Sequence, residues 1–191
     1  VEVAEKIVEA GYGVITGGGP GMMEAGNRGA YNAGGTSIGL SITLPFETCF
    51  NQYVKDNVQF DYFFVRKVCF LKYSQAFVGM PGGFGTLEEL FEMITWKQLG
   101  FHSKPVGILN VDGFYDALLK FLDESVSLGF ISKSARELLF VAESPDELLN
   151  KLKIQKNKVA IEVNGEIVEK DNYGSLMLKR DDKVKIVHFI G

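Results

Sequence analysis

Twice in this chain a short apolar run breaks into a glycine-rich loop that leads straight into a helical pattern. Val14-Ile15-Thr16 runs into Gly17-Gly18-Gly19-Pro20-Gly21 and then MMEAGNRGAYNAG. Ala76 to Met80 runs into the turn Pro81 to Thr86 and then an amphipathic stretch, Leu87 to Leu99. Short apolar strands separated by helices of about ten to fifteen residues are the unit of a parallel sheet, because parallel neighbours need a long crossover that covers a sheet face. The rest of the first 150 residues repeats the unit. Apolar spacing at Val1, Ala4, Ile7 and Val8 predicts a helix to Ala10, and Ser37 to Leu44 reads as a strand. A loop with Pro45 and Phe46 leads on to an aromatic strand, Val58 to Phe64, and a helix, Val65 to Gln75. Val106 to Asn110, Phe114 to Leu128 and Leu138 to Val141 continue as strand, helix, strand.

The expected fold is therefore α/β, a doubly wound (Rossmann-like) parallel sheet with helices on both faces. Ligands of such sheets sit beyond the carboxyl ends of the strands, which is where both glycine loops fall. There, loop N–H groups and the following helix dipole face the same way, a geometry suited to phosphate. A tight turn is the competing reading of either loop alone. Neither is a P-loop, since G-x-x-x-x-G-K-[ST] is absent, and the first lacks the G-x-G-x-x-G spacing of dinucleotide sites.

Composition narrows the partners. With 46% hydrophobic and 23% charged residues the chain is expected to fold, and no stretch approaches the roughly 18 apolar residues of a membrane helix. No signal-peptide pattern opens it. Cys49 and Cys69 form no C-x-x-C pair and read as buried thiols in a reducing cytoplasm. A pI near 5.3 argues against a nucleic-acid polymer as partner while leaving room for a local basic pocket. His102 and His188 lie far apart, so no metal is expected, and H-E-x-x-H and G-x-S-x-G are both missing.

Three polar clusters have two readings each. Thr86-Leu87-Glu88-Glu89 is a capping-box pattern, or it places Glu89 beside a phosphate loop within reach of a sugar. Arg66-Lys67 begins a helix, where cations oppose the dipole and ask for an anion or carboxylate partner; otherwise they are a solvated pair at the sheet rim. Ser144-Pro145-Asp146-Glu147 repeats the capping pattern with proline at the first helical position and reads as structural.

TGGGPGMMEAGNRGAYNAGG, FVRK and PGGFGTLEELFEMITWKQLG together resemble the LONELY GUY (LOG) family, whose hallmark P-G-G-x-G-T-x-x-E is matched by Pro81 to Glu89 at every fixed position. The likeness runs on through HSKPVGILNVDGFYDALLKFLDESVSLGFIS and covers nearly all of residues 1–150. The family was long labelled lysine decarboxylase. The resemblance implies instead a phosphoribohydrolase, cleaving the N-glycosidic bond of a nucleoside 5′-monophosphate to free base and ribose 5-phosphate. Arg66 and Glu89 would be catalytic. Gly82, Gly83, Gly85 and Thr86 would hold the 5′-phosphate, with Lys67 in the same binding set, and Gly18, Gly19, Gly21 and Met22 would form the other wall. The resemblance further implies no cofactor, a small-molecule nucleotide substrate and a homodimer, beside the absent membrane helix and cytoplasmic location read from the composition. FDYFFVRK differs from the D-M-x-x-R-K of plant-like members and is more similar to a bacterial subgroup, which leaves the base open between a cytokinin and an AMP-like adenine. The family's first strand and Gly-Ser turn lie before the helix with which this sequence opens.

Something changes near residue 150. Residues 1–150 carry a net −7 and 19 of the 22 glycines, residues 151–191 a net +3 and three glycines. The expected organisation is a nucleotide-binding domain over 1–150 and a β-rich tail over 151–191. LLNKLKIQKNKVAIEVNGEIVEKDNYGSLMLKRDDKVKIVHFIG is similar to the second half of the ThiS sulfur carrier, a β-grasp fold, and alternation in KVAIEVNGEIV and KVKIVHFI supports two strands. Half a β-grasp retains only Gly191 of the family's terminal Gly-Gly. The tail is expected to be an appendage; the alternative is a non-catalytic nucleotide-binding protein or a sulfur-carrier fusion related to thiamine biosynthesis.

Overall fold

A computed structural model describes residues 1–43, 50–152, 159–163, 166–168 and 184–188, with side chains described over 1–43 and 50–152. The predicted end of the second strand at Leu44, the loop with Pro45 and Phe46, the Cys49 thiol and the terminal Gly191 lie outside the described residues. The chain divides into two units, Val1–Ile154 and Gln155–Gly191.

In the first unit, helices α1 (Glu2–Glu9), α2 (Met22–Asn32), α3 (Phe63–Tyr73), α4 (Phe84–Gln98), α5 (Asp116–Ser127), α6 (Lys133–Arg136) and α7 (Pro145–Lys151) alternate with six strands. These are β1 (Val14–Thr16), β2 (Ser37–Ile42), β3 (Asp56–Phe60), β4 (Phe77–Gly79), β5 (Val106–Leu109) and β6 (Leu139–Ala142). All pairings are parallel, as the alternation predicts, but the ladder is split into two sheets, β1-β2-β3 and β4-β5-β6. Val14 pairs with Ser37 and Ile38 with Asp56 in the first; Phe77 pairs with Val106 and Val106 with Leu139 in the second. The central strand of the second sheet, β5, is buried at all four positions, as a parallel strand covered on both faces must be. Val106 and Ile108 join Leu90, Met93, Tyr115, Leu122 and Leu139 in the larger core, and Leu109, Ala142, Leu148 and Leu152 form a second cluster. Val3 of α1 packs on that second cluster beside Val78 and Met80, so α1 ties the two sheets together. Across α1 and α2 the approach is close enough that a Cβ on Gly29 would run into the Val1 carbonyl and lie 2.8 Å from the Ala4 Cβ.

Three boundaries depart from the sequence reading. The aromatic run is not one strand: β3 ends at Phe60, Tyr62 is the extended residue before α3, and Phe63 opens the helix. Aromatic strand propensity reflects packing on a pleated surface, and Phe63 and Phe64 are exposed here, so nothing holds them in a strand. Helix α4 begins three residues early, at Phe84, with Gly83 as N-cap; the Leu87 N–H donates to the Gly83 carbonyl at 3.1 Å. Thr86 therefore lies inside the helix and is not its cap, and Glu89 lies in the second turn rather than the first. Ser144, by contrast, caps α7 as expected, its hydroxyl accepting from the Glu147 N–H at 3.2 Å. The short α6, capped by Ser132, was not anticipated. Cys69 is half-buried on α3 rather than buried.

The second unit is a three-stranded antiparallel sheet in the order β8-β7-β9, from β7 (Val159–Val163), β8 (Glu166–Val168) and β9 (Val184–His188). Ile161 pairs with both Val168 and Ile186. The first alternating run, read as one strand, folds as two. Among the described residues no helix is long and apolar enough to cross a membrane.

Candidate active site

Both glycine loops leave the carboxyl ends of parallel strands, Gly17–Gly21 after β1 and Pro81–Gly83 after β4, and each runs into a helix with no side-chain cap. Among the described residues, the first-turn N–H groups of α2 and α4 thus have neither an intrahelical partner nor a capping side chain, which is the condition for receiving an anion. Gly18 and Gly21 adopt φ of +78° and +69°, which L side chains avoid. Gly82 is required for another reason: a Cβ there would collide with the Thr86 hydroxyl, which folds back over it.

The first loop is held from behind by polar side chains outside its glycine run. Asn51 donates its amide to the Gly18 and Gly19 carbonyls, both at 3.1 Å, and its backbone N–H donates to Gly18 O at 2.9 Å. The same amide reaches Asn27 Oδ1 at 3.0 Å. Asn27 is fully buried, accepts from the Thr16 hydroxyl at 2.6 Å and donates to Ser37 Oγ at 2.9 Å. Thr16 Oγ1 in turn accepts from the Gly18 N–H at 2.9 Å. Loop carbonyls are therefore turned toward Asn51. Sequence reasoning missed Thr16, Asn27, Ser37 and Asn51. The available signal was Asn27, a poor helix former inside a helix otherwise rich in small residues.

Arg66 joins this loop to the second. It is buried on α3 and donates Nε–H to the Leu40 carbonyl of β2 at 2.7 Å. Its guanidinium lies so close to Gly17 that a Cβ there would meet Nη2, stands 5.2 Å from the Phe70 ring, and brings Nη1 to 3.4 Å from Glu89 Oε1 on α4. Glu89 keeps 38% of its side chain exposed, so one face of the carboxylate is open. Burial is the largest influence on it and pushes its pKa above the ordinary glutamate value; the charge of Arg66 opposes that shift, Glu88 adds to it, Lys67 opposes it and Glu92 adds to it. Lys67 points its ammonium to Glu88 at 2.6 Å and to Glu92 at 3.1 Å. The cations at the start of α3 have carboxylate partners. Of the predicted set, Arg66 and Glu89 meet directly; Gly18, Gly19, Gly21 and Met22 lie on the loop and helix start after β1, and Gly82, Gly83, Gly85 and Thr86 on those after β4. Phe84, between the last glycines, is 93% exposed.

A groove of about 620 Å³ lined by Asp123, Arg136, Phe140 and Lys151 lies away from these loops, beside β6. Arg136 there pairs with Asp123 at 2.7 Å and Lys151 with Glu147 at 2.6 Å.

A family model described as possible lysine decarboxylase matches residues 23–152. The chain is 42% identical over 154 residues to the probable cytokinin riboside 5′-monophosphate phosphoribohydrolase LOGL3 of Oryza sativa subsp. japonica, covering 80% of this chain and 73% of that protein. It belongs to the LOG family. The cytokinin riboside 5′-monophosphate phosphoribohydrolase LOG of the same organism is 41% identical over 155 residues, covering 80% of this chain but only 64% of its own length. Among solved structures, the molybdenum cofactor carrier protein from Chlamydomonas reinhardtii shares the fold, with a TM-score of 0.57 at 24% identity over 80% of this chain and 82% of that one. A ThiS family model matches residues 135–191. The two family models overlap over residues 135–152, the stretch containing α7. Within a LOG-family chain, the P-G-G-x-G-T-x-x-E motif is thus the loop after β4 and the first turns of the helix that carries Glu89 to Arg66.

Proposed function

We propose that the chain hydrolyses the N-glycosidic bond of a nucleoside 5′-monophosphate, with a cytokinin riboside 5′-monophosphate or AMP as substrate. The observation that carries this reading is Arg66, fixed on the backbone of β2 and packed on Gly17, with Glu89 in front of it. The uncapped N-terminus of α4 at Gly83, Gly85 and Thr86 is suited to the 5′-phosphate, and Gly18, Gly19, Gly21 and Met22 to the opposite side of the nucleotide. As the C1′–N bond lengthens, positive charge grows on the ribose. The Glu89 carboxylate stabilises that charge or takes a proton from the attacking water, and Arg66 keeps it ionised and oriented. Water supplies the hydroxyl that ends on C1′ and the proton that leaves with the base. Curated relatives named as phosphoribohydrolases support the same assignment.

The working form is a homodimer. Tyr62, Phe63, Phe64 and Val68 stand exposed on α3 and just before it, flanking Arg66, and an apolar patch beside a site is a common protein contact. An acidic chain with a local anion site suits a small phosphorylated ligand rather than a nucleic-acid polymer, and a cytoplasmic nucleotide pool would supply it. The test is ribose 5-phosphate release from AMP and from isopentenyladenosine monophosphate. Release by the wild type that is lost in Glu89→Gln supports the assignment. No release by a folded oligomer, or equal release by the variant, overturns it.

A further inference from the structure

We infer that Lys67 is a positioning residue rather than a phosphate ligand: clamped between Glu88 and Glu92, it fixes the register of α3 against α4 that brings Arg66 onto Glu89. This rests on the hydrolase reading for its consequence in turnover, but the clamp itself can be observed without it.

Adjacent residues of α3 face alternate carboxylates of α4. Arg66 takes Glu89, and Lys67 takes the residues on either side of it, Glu88 one position before and Glu92 three after. Residues three and four apart lie on one helix face, so Glu88 and Glu92 present to Lys67 as a pair. Its ammonium lies 2.6 Å and 3.1 Å from two carboxylates, and both raise its pKa, so it stays charged and engaged. Among the described residues Glu92 Oε2 is buried with no hydrogen-bond partner. A buried carboxylate left with one satisfied oxygen needs its countercharge, and Lys67 supplies it through Oε1. Turning Lys67 toward a phosphate would strip Glu92 of that partner. The groups facing Glu89 are Arg66 and Lys67 from α3 and Glu88 and Glu92 from its own helix, so the clamp also sets the field at its carboxylate.

Removing the Lys67 charge frees two carboxylates beside Glu89, and both changes push the Glu89 pKa up. In Lys67→Met, the expected result is a kcat for AMP lower by about tenfold, a KM within about twofold of wild type, and an acid limb of the pH profile displaced upward. Lys67→Arg should recover part of kcat, and Glu92→Gln should also reduce it. Because Lys67→Met leaves Glu92 buried without a countercharge, Lys67→Met/Glu92→Gln serves as the folding control; it should recover thermal stability without recovering kcat. A phosphate ligand would behave otherwise: KM for AMP would rise at least tenfold, the preference for AMP over adenosine would fall, and Glu92→Gln would be silent. That result overturns the inference. Should the wild type release no ribose 5-phosphate, the hydrolase reading fails alone. A crystal structure of Lys67→Met then decides the clamp, with a lengthened Arg66 Nη1–Glu89 Oε1 distance supporting it and an unchanged distance refuting it.

Discussion

The Arg66 guanidinium reaches Glu89 Oε1 at 3.4 Å while its Nε–H is spent on the Leu40 carbonyl at 2.7 Å, so the charge facing the carboxylate is anchored to a strand backbone. An arginine held this way cannot follow a moving partner, and Glu89 is oriented by it rather than the reverse. Replacing Glu89 with Gln keeps the shape and removes the negative charge. We expect kcat for nucleoside monophosphate hydrolysis to fall about 10²- to 10³-fold, with circular dichroism and oligomeric state unchanged. A retained rate would remove Glu89 from the chemistry.

The same pair sets a pH dependence. Glu89 acts as the carboxylate, so activity is present above its pKa and is lost as pH falls through it. Burial raises that pKa and Arg66 opposes the rise. The acid limb of kcat/KM should therefore lie above the ordinary glutamate range, and Arg66→Met should displace it further upward while lowering the rate. A limb that stays in place in Arg66→Met, measured from pH 4 to 8 on a folded variant, counts against Arg66 as the countercharge.

How much of this was open to sequence reasoning follows from the range of each interaction. The loops, their helices and the parallel pairing were legible because strand, glycine and helix are neighbours in the chain, and their periodicity is local. Arg66 and Glu89 were found through a motif, but their meeting across 23 residues was not a matter of spacing. The Asn51 contacts were not legible, since an asparagine has no period and its partners, the Asn27 side-chain oxygen and the Gly18 carbonyl, lie 24 and 33 residues away. The misplaced start of α4 has a physical cause too. A T-x-x-E pattern invites a cap at Thr86, yet Gly83 starts the helix earlier, and the Thr86 hydroxyl turns to Gly82 instead.

Gly17 tests the packing that connects the two loops. Its φ lies outside the left-handed region, so Ala is allowed by the backbone, but the added Cβ would strike Arg66 Nη2 and lie 2.7 Å from Met23 Sδ. Met23 can swing aside; Arg66, tied to Leu40, cannot without losing Glu89. Gly17→Ala should lower kcat by about tenfold or more and leave thermal stability within about 1 kcal/mol of wild type. A crystal structure of the variant should show the guanidinium displaced. An unaltered Arg66–Glu89 distance together with normal turnover would refute the packing argument.

Asn51 offers the complementary experiment, because it touches neither catalytic side chain. Asn51→Ala removes the amide that binds the Gly18 and Gly19 carbonyls and leaves Asn27 Oδ1 with Thr16 alone. Partly buried carbonyls that lose a donor cost about 1–3 kcal/mol, readable as a lower denaturation midpoint at unchanged slope. The loop should then sample conformations in which its N–H groups no longer face the nucleotide, so KM for AMP should rise more than kcat falls. Because the peptide N–H of residue 51 still donates to Gly18 O in the variant, the loop is weakened rather than released. Asn51→Asp separates the two effects: it retains the size and the acceptor for the Tyr53 N–H but sets an oxygen against three acceptors. It should be more destabilised than Ala. Equal stability of the two variants would mean that the loop carbonyls do not depend on the Asn51 amide.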